Sequence, residues 1–248
     1  MSFKLIKNCV IQKKSTWKIF ISLFFYTILI IFLRCAEELG IIKESYNYLC
    51  DSAKSLIILM LSIYLFNYNM YKDIIDKIKI RKMKLHTIII PIFVALIQRF
   101  IVDTLQIAPK LFGKEELKPG KGQLVFDSPT IFEDILSGSI VAPFVEELLF
   151  RVVFFVMITY ILKYTIKNKS ISEKVLNLNN IYCWILIVIN NILFSLTHIP
   201  DISNFYIYFI GGVVDTIIYI KYGFFSSFLC HGLFNLVSSD FIFKLLGL

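Results

Sequence analysis

Long apolar stretches separated by short polar segments run along the whole chain, and they constrain its fold more than any other feature. A helix needs about 20 mostly apolar residues to cross the hydrocarbon core of a bilayer. Seven stretches approach or exceed this length: 17–33, 53–68, 86–105, 131–162, 181–199, 204–220 and 223–248. The fourth of them is long enough for two helices. We therefore predict an all-α, polytopic transmembrane helix bundle of about 7–8 spans.

The composition supports a membrane protein over a soluble one. Hydrophobic residues make up 57% of the chain and charged residues 18%, with a mean hydropathy of +0.74. Soluble domains usually carry about 25% charged residues. Because no soluble segment or internal repeat is evident, we predict one integral membrane domain over residues 1–248.

The net charge of +8 comes largely from basic clusters at the ends of spans, in residues 4–18, 71–84 and 163–174. The polar segment 35–50 is more acidic, so the alternation predicts a cytoplasmic N-terminus. Basic residues at span ends, rather than on one soluble face, argue against a nucleic-acid partner. Five cysteines are scattered, and Cys35 and Cys50 share one predicted outward loop in which they could pair.

Three short motifs place ionisable or amide groups inside the apolar stretches. They are EELLFR at 146–151, FSLTH at 194–198 and HGLFN at 231–235. A charged group near the centre of a bilayer costs about 2.5–3.5 kcal/mol by insertion scales, so such groups usually mark function.

In the first motif, the two glutamates have different surroundings. Glu147 and Arg151 are four residues apart on one helix face and can form an ion pair. Glu146 is turned by about 100° and has no local counter-charge. Glu146 is therefore the candidate general base.

The other two motifs repeat the four-residue spacing, with Phe194 beside His198 and His231 beside Asn235. An aromatic ring can orient a histidine, and an amide can donate hydrogen bonds to a developing oxyanion. A carboxylate, two imidazoles and an amide could activate water and hydrolyse a peptide bond. No serine or cysteine is evidently paired with a base, which favours attack by water.

Other polar residues in the apolar stretches have structural interpretations. Arg99 and Asp103 form a predicted ion pair, and Asp215 is either a second functional acid or a buried, hydrogen-bonded carboxyl. Asn190 and Asn191 are predicted to bridge helices, as polar side chains in membrane proteins often do. Either histidine alone could also serve such a packing role.

In this order, the three motifs resemble those of the CPBP family of intramembrane proteases, also called the Abi family, which includes CaaX proteases and bacteriocin-processing enzymes. The family shows EExxxR, FxxxH and HxxxN or HxxxD on separate helices, and all three are intact here. The resemblance covers roughly residues 130–240, which we predict to be the catalytic core.

The resemblance implies a role for each motif residue. Glu146 would activate water, His198 and His231 would assist proton transfer or position the water, and Asn235 would belong to the oxyanion site. Supporting roles fall to Glu147, Arg151 and Phe194.

A zinc ion is the alternative to a metal-free mechanism, because the family has been described both as a metalloprotease and as a glutamate-dependent protease. Glu146, His198 and His231 could hold such an ion with an open position. Without an HExxH motif or an acid evident beside either histidine, we favour a metal-free glutamate mechanism with no cofactor.

We predict an intramembrane endopeptidase, CaaX-protease-like, that cleaves a membrane-associated peptide or protein tail. The resemblance implies prenylated CaaX tails in eukaryotes or peptide precursors in bacteria. A composition rich in Ile, Lys and Asn favours a bacterial plasma membrane and a role in peptide maturation or bacteriocin self-immunity. The alternative is a non-catalytic immunity or scaffold membrane protein that binds a partner peptide. A transporter is disfavoured because no repeat is found.

The predicted topology raises one conflict. If the spans simply alternate, His198 lies near the outer end of its helix and His231 near the inner end of its own, roughly 15 Å apart in depth. The two could then not share a water. The conflict is resolved if Pro143 splits the fourth stretch, or if later helices are short, tilted or broken.

Overall fold

The computed structural model describes residues 17–33, 48–79, 84–115, 117, 131–166, 170 and 173–238. Within these ranges all regular elements are helical, which confirms the all-α prediction. The proposed pairing of Cys35 with Cys50 lies outside the described residues. The α-helices are α1 Trp17–Leu33, α2 Tyr48–Phe66, α3 Tyr68–Ile78, α4 His86–Ile107, α5 Ile131–Asp134, α6 Ala142–Glu147, α7 Phe154–Tyr160, α8 Ile181–Thr197, α9 Phe205–Tyr222 and α10 Phe224–Leu236.

Two helical stretches in the described part of the chain are long and apolar enough to cross a membrane, His86–Phe112 and Phe205–Tyr222. Four further apolar helices are shorter: Trp17–Leu33, Ala53–Phe66, Ile181–Thr197 and Phe224–Leu236. Each of the six overlaps a stretch predicted to span the bilayer. The number of 7–8 spans stays a prediction.

Large apolar side chains cover the outer faces of several helices. On α4, Phe93 is 63% exposed and Phe100 is 73% exposed, and on α8 the exposed side chains include Ile185 and Ile189. Monomeric soluble proteins rarely expose contiguous apolar surfaces of this kind. The surfaces therefore indicate an integral membrane protein.

Between residues 131 and 165, short α-helical segments alternate with π-helical segments, whose backbone hydrogen bonds span five residues instead of four. The π segments are Ile135–Val141, Leu148–Val153 and Ile161–Thr165. Pro143 is the second residue of α6 and lies inside a helical run that is unbroken from residue 131 to residue 165. Pro143 therefore does not split the fourth stretch. Single π turns inside helices are frequent at functional sites.

The chain divides into two compact units. The first unit comprises the described residues within Met1–Lys79 and Val152–Leu176, and the second those within Ile80–Arg151 and Asn177–Leu248. In the first unit, the Tyr160 hydroxyl donates a hydrogen bond to Asp73 at 2.7 Å and ties α7 to α3. The prediction of a single domain over residues 1–248 stays a prediction.

In the second unit, α10 packs against α4, α9 and the π segment Ile135–Val141, while α8 packs against α9. Asn191 of α8 donates a hydrogen bond to Thr216 of α9 at 3.1 Å, as predicted for a residue that bridges helices. Small residues allow the close approach, as is typical of membrane helices. A side chain at Gly212 would collide with Asn191 and the Phe194 ring, and one at Gly232 would collide with the Ser139 carbonyl oxygen.

The close approach at Gly212 gives a prediction for stability. We expect Gly212→Ala to lower the free energy of unfolding by about 1–3 kcal/mol, because an added methyl group overpacks this contact. Gly211→Ala is the matched control, since its methyl group would meet only the flexible end of Gln98. Thermal unfolding of both variants in detergent measures the difference, and equal melting temperatures would contradict the prediction.

Candidate active site

A cavity in the second unit brings residues of all three motifs together. Its volume is about 100 Å³, enough for several water molecules. Its lining includes Glu146, Phe194, His198, His231 and Asn235.

His198 and His231, which simple alternation of the spans would place at different depths, line this same cavity. His198 directly follows the last residue of α8, and His231 lies in the second half of a short α10 that begins at Phe224. Both rings contact Phe194, with ring centroids 4.8 Å away for His198 and 6.1 Å away for His231. Short later helices thus resolve the conflict raised by the simple topology.

The two adjacent glutamates contact the two nitrogens of the His231 ring. Nδ1 of His231 donates to Oε1 of Glu147 at 3.1 Å, and Nε2 lies 3.6 Å from Oε2 of Glu146. The Glu147 side chain is fully buried, whereas the Glu146 side chain is 27% exposed. Glu146 is therefore the carboxylate of this pair that the cavity can reach.

The predicted ion pair between Glu147 and Arg151 is present. Arg151 Nε lies 3.3 Å from Glu147 Oε2, and both side chains have no exposed surface. The Arg151 guanidinium also donates to Asn190 at 3.0 Å and lies 4.9 Å from the centroid of the Phe194 ring. Glu147 consequently does more than support its helix, because the same carboxylate holds both Arg151 and His231.

Asparagine side chains anchor the π segments on either side of α6. Asn235 of α10 donates to the carbonyl oxygen of Gly138 at 2.9 Å, in the segment Ile135–Val141. Asn190 of α8 donates to the carbonyl oxygen of Phe150 at 2.7 Å, in the segment Leu148–Val153. The helix that carries both glutamates is thus tied to a neighbouring helix before and after it.

Contacts with Phe194 and Tyr208 hold the His198 ring. Its Nδ1 lies 3.1 Å from the Phe194 carbonyl oxygen, and its edge meets the Phe194 ring. Tyr208 of α9 stacks on its face, with ring centroids 4.6 Å apart. With Nδ1 donating to the carbonyl, Nε2 points away from that turn of the chain and is the nitrogen available for chemistry.

Asp215 lies at the site. The sequence alone had left two interpretations of this residue, a second functional acid or a buried carboxyl. It lines the cavity, and its Oδ2 is 4.0 Å from Nδ1 of His231. Its other oxygen is buried and has no hydrogen-bond partner within the described residues. One signal could have identified it, because Tyr208, Gly211, Gly212 and Asp215 share one face of α9.

The predicted pair of Arg99 and Asp103 is also present, with two hydrogen bonds between the guanidinium and the carboxylate. The sequence did not predict that Arg99 also lines the cavity. Its guanidinium lies over the Phe234 ring, 5.3 Å from the centroid. Arg99 is thus part of the cavity wall as well as of an ion pair.

One group of metal-ligating side chains comes together in the described part of the chain. Ligand atoms of Glu147, Asp215 and His231 lie within 4.8 Å of one another. The donor types suit a divalent cation such as zinc. The Glu147 charge, however, is already matched by the buried Arg151 guanidinium, which would repel a cation placed beside it. These three residues therefore fit a metal poorly.

The fold and this site define a helical membrane protein with glutamate, histidine and asparagine side chains around one cavity. Residues 129–237 match the family model described as Rce1-like, type II CAAX prenyl endopeptidase Rce1-like. The matched segment contains all three motifs and confirms the predicted relationship to the CPBP family. No match was found among curated proteins or among solved structures.

Proposed function

We propose that this protein is an intramembrane endopeptidase in which Glu146 activates a water that cleaves a membrane-associated peptide or protein tail. The observation that carries the proposal is the approach of Glu146 to within 3.6 Å of Nε2 of His231, at a cavity that His198 and Asn235 also line. The family match to CAAX prenyl endopeptidases supports the same reaction class.

The first step is attack by water on the scissile peptide carbonyl. The Glu146–His231 separation exceeds a good hydrogen-bond length, so a water at the edge of this pair can contact both groups. As the water oxygen bonds to the carbonyl carbon, Glu146 takes one of its protons. The result is a tetrahedral intermediate with a negatively charged oxygen.

The second step breaks the carbon–nitrogen bond. Glu146 or His231 delivers a proton to the leaving nitrogen, which departs as an amine and leaves a carboxylic acid on the other fragment. Glu147 holds Nδ1 of His231 during this exchange and so fixes which ring nitrogen faces Glu146.

Asn235 stabilises the charged oxygen of the intermediate, and His198 positions the attacking water. An asparagine amide has two hydrogens, and the hydrogen bond to Gly138 uses one of them. The second can be donated to the oxyanion. Because Nδ1 of His198 carries the hydrogen that is donated to the Phe194 carbonyl, its Nε2 is free to accept a hydrogen bond from the water. Because both side chains are held by other contacts, little reorganisation is needed when the charge develops.

We further propose that the substrate is a prenylated CaaX-type tail or a bacterial peptide precursor, and that the setting is a bacterial plasma membrane with the N-terminus in the cytoplasm. Peptide maturation or bacteriocin self-immunity would then be the biological role. The apolar faces of α4 and α8 support embedding in lipid, and the basic cluster near the N-terminus supports the orientation.

The experiment is a cleavage assay with purified protein in liposomes, using a prenylated CaaX peptide and a set of bacteriocin precursor peptides. We expect cleavage of at least one substrate, with a rate that a zinc chelator does not change. Loss of activity on chelation, with recovery on adding zinc, would overturn the metal-free mechanism in favour of Glu146, His198 and His231 or another ligand set.

The alternative function, a non-catalytic immunity or scaffold protein that binds a partner peptide, predicts a different result. The protein would cleave none of the peptides. Cells that express Glu146→Ala would also remain protected from the bacteriocin, because binding alone would suffice.

A further inference from the structure

We infer that α4 forms the wall of the cavity that binds the backbone of the substrate, with Oε1 of Gln98 accepting a hydrogen bond from a substrate N–H. The inference rests on the proposed function, because a peptide substrate supplies that N–H. It assigns a binding subsite to a helix that lies outside the matched family segment, which begins at residue 129.

One face of α4 contributes to the cavity. Gln98, Arg99, Val102 and Gln106 all line it, and their spacing places them along one side of the helix. The same cavity is lined by Glu146 and His231. A peptide bound at the proposed catalytic residues would therefore meet this face of α4.

Gln98 has an unsatisfied acceptor in this wall. The residue is only 8% exposed, and its Oε1 is buried without a hydrogen-bond partner among the described residues. Buried side-chain oxygens are nearly always paired, so each exception asks for an explanation. The proposed peptide substrate would supply a suitable donor, a backbone N–H.

The position of the Gln98 side chain is restricted by its neighbours. Its Nε2 lies so close to Gly211 of α9 that a methyl group at Gly211 would be 3.0 Å away. Arg99, the adjacent residue, is held by Asp103 and by the Phe234 ring. Because Arg99 is engaged by its own carboxylate, we assign backbone recognition to Gln98.

The test compares substrates that lack one backbone hydrogen at a time. The parent peptide is one that wild type cleaves in the liposome assay. It is prepared with a single N-methyl group at each position near the scissile bond, and the scissile nitrogen itself is left unmodified. Wild type, Gln98→Met and Gln98→Glu are compared. Thr104→Val is the control, because Thr104 is exposed on α4 and its hydroxyl donates to its own helix.

For wild type, we expect one N-methyl position to raise KM by about tenfold, the size expected for one lost hydrogen bond, with little change in kcat. Gln98→Met should raise KM for the parent peptide by a similar factor. An N-methyl group at the sensitive position should then raise the KM of this variant no further. Gln98→Glu keeps an acceptor and should retain the sensitivity, as should Thr104→Val. If Gln98→Met does not fold, Gln98→Ala takes its place.

Equal sensitivity of wild type and Gln98→Met to every N-methyl position would overturn the inference while leaving the protease assignment intact. Failure of wild type to cleave any peptide in the liposome assay, or cleavage that survives Glu146→Ala, would instead defeat the proposed function, and the inference with it. The two failures are thus distinguishable in one set of assays.

Discussion

Replacing Glu146 by alanine is expected to reduce kcat for peptide cleavage by about 10²–10⁴-fold, the usual contribution of a general base. KM should change little, because the lost carboxylate acts on the attacking water rather than on the bound peptide. Glu146 is the glutamate of the pair with exposed surface, and it approaches the one ring nitrogen of His231 that Glu147 does not hold. Initial rates over a range of substrate concentrations measure both constants.

Two variants control this result. Glu133→Ala removes an exposed carboxylate from the same region of the chain and should retain wild-type rates. Glu146→Gln preserves size and polarity but cannot accept the proton, so it should be as impaired as Glu146→Ala. Activity of Glu146→Ala within tenfold of wild type would show that another group is the base.

The largest effect on stability is expected from Arg151→Met. Breaking a buried ion pair by removing one partner typically costs about 3–5 kcal/mol, because the other charge stays buried without compensation. Glu147 and Arg151 both have no exposed surface, and Arg151 also donates to Asn190. Chemical or thermal unfolding in detergent should therefore show a much less stable protein.

A double variant separates lost charge compensation from lost packing. Glu147→Gln combined with Arg151→Met leaves no buried charge in this pair and should recover part of the lost stability. Lys221→Met replaces an exposed basic residue by methionine and should have little effect. If the double variant is no more stable than Arg151→Met alone, the uncompensated charge of Glu147 is not the cause.

Much of the helical framework was predictable because apolar length is a local property of the sequence. The predicted stretch 86–105 corresponds to α4, His86–Ile107, and the stretch 181–199 corresponds to α8, Ile181–Thr197. The π segments between residues 131 and 165 were not predictable. A π turn differs from an α turn by one hydrogen-bond position, and apolar residues suit both equally well.

Contacts within the site were likewise predictable where both residues lie on one helix, and not where they lie on different helices. Pairs four residues apart were predicted from helical spacing, as for Glu147 with Arg151 and Phe194 with His198. The hydrogen bond of Glu147 to His231 joins residues 84 positions apart and depends on how the helices pack. The stacking of Tyr208 on His198 joins α9 to the end of α8, and spacing along one helix cannot reveal it either.

The two asparagine anchors of α6 determine which part of the site can move. Turning α6 about its axis would break the hydrogen bond from Asn235 to Gly138 or the one from Asn190 to Phe150. The two glutamates are therefore held in orientation by contacts that do not involve α4. If the proposed peptide substrate binds in this cavity, Glu146 would keep its orientation, and any adjustment to the peptide would fall to the parts of the wall that these two hydrogen bonds do not hold.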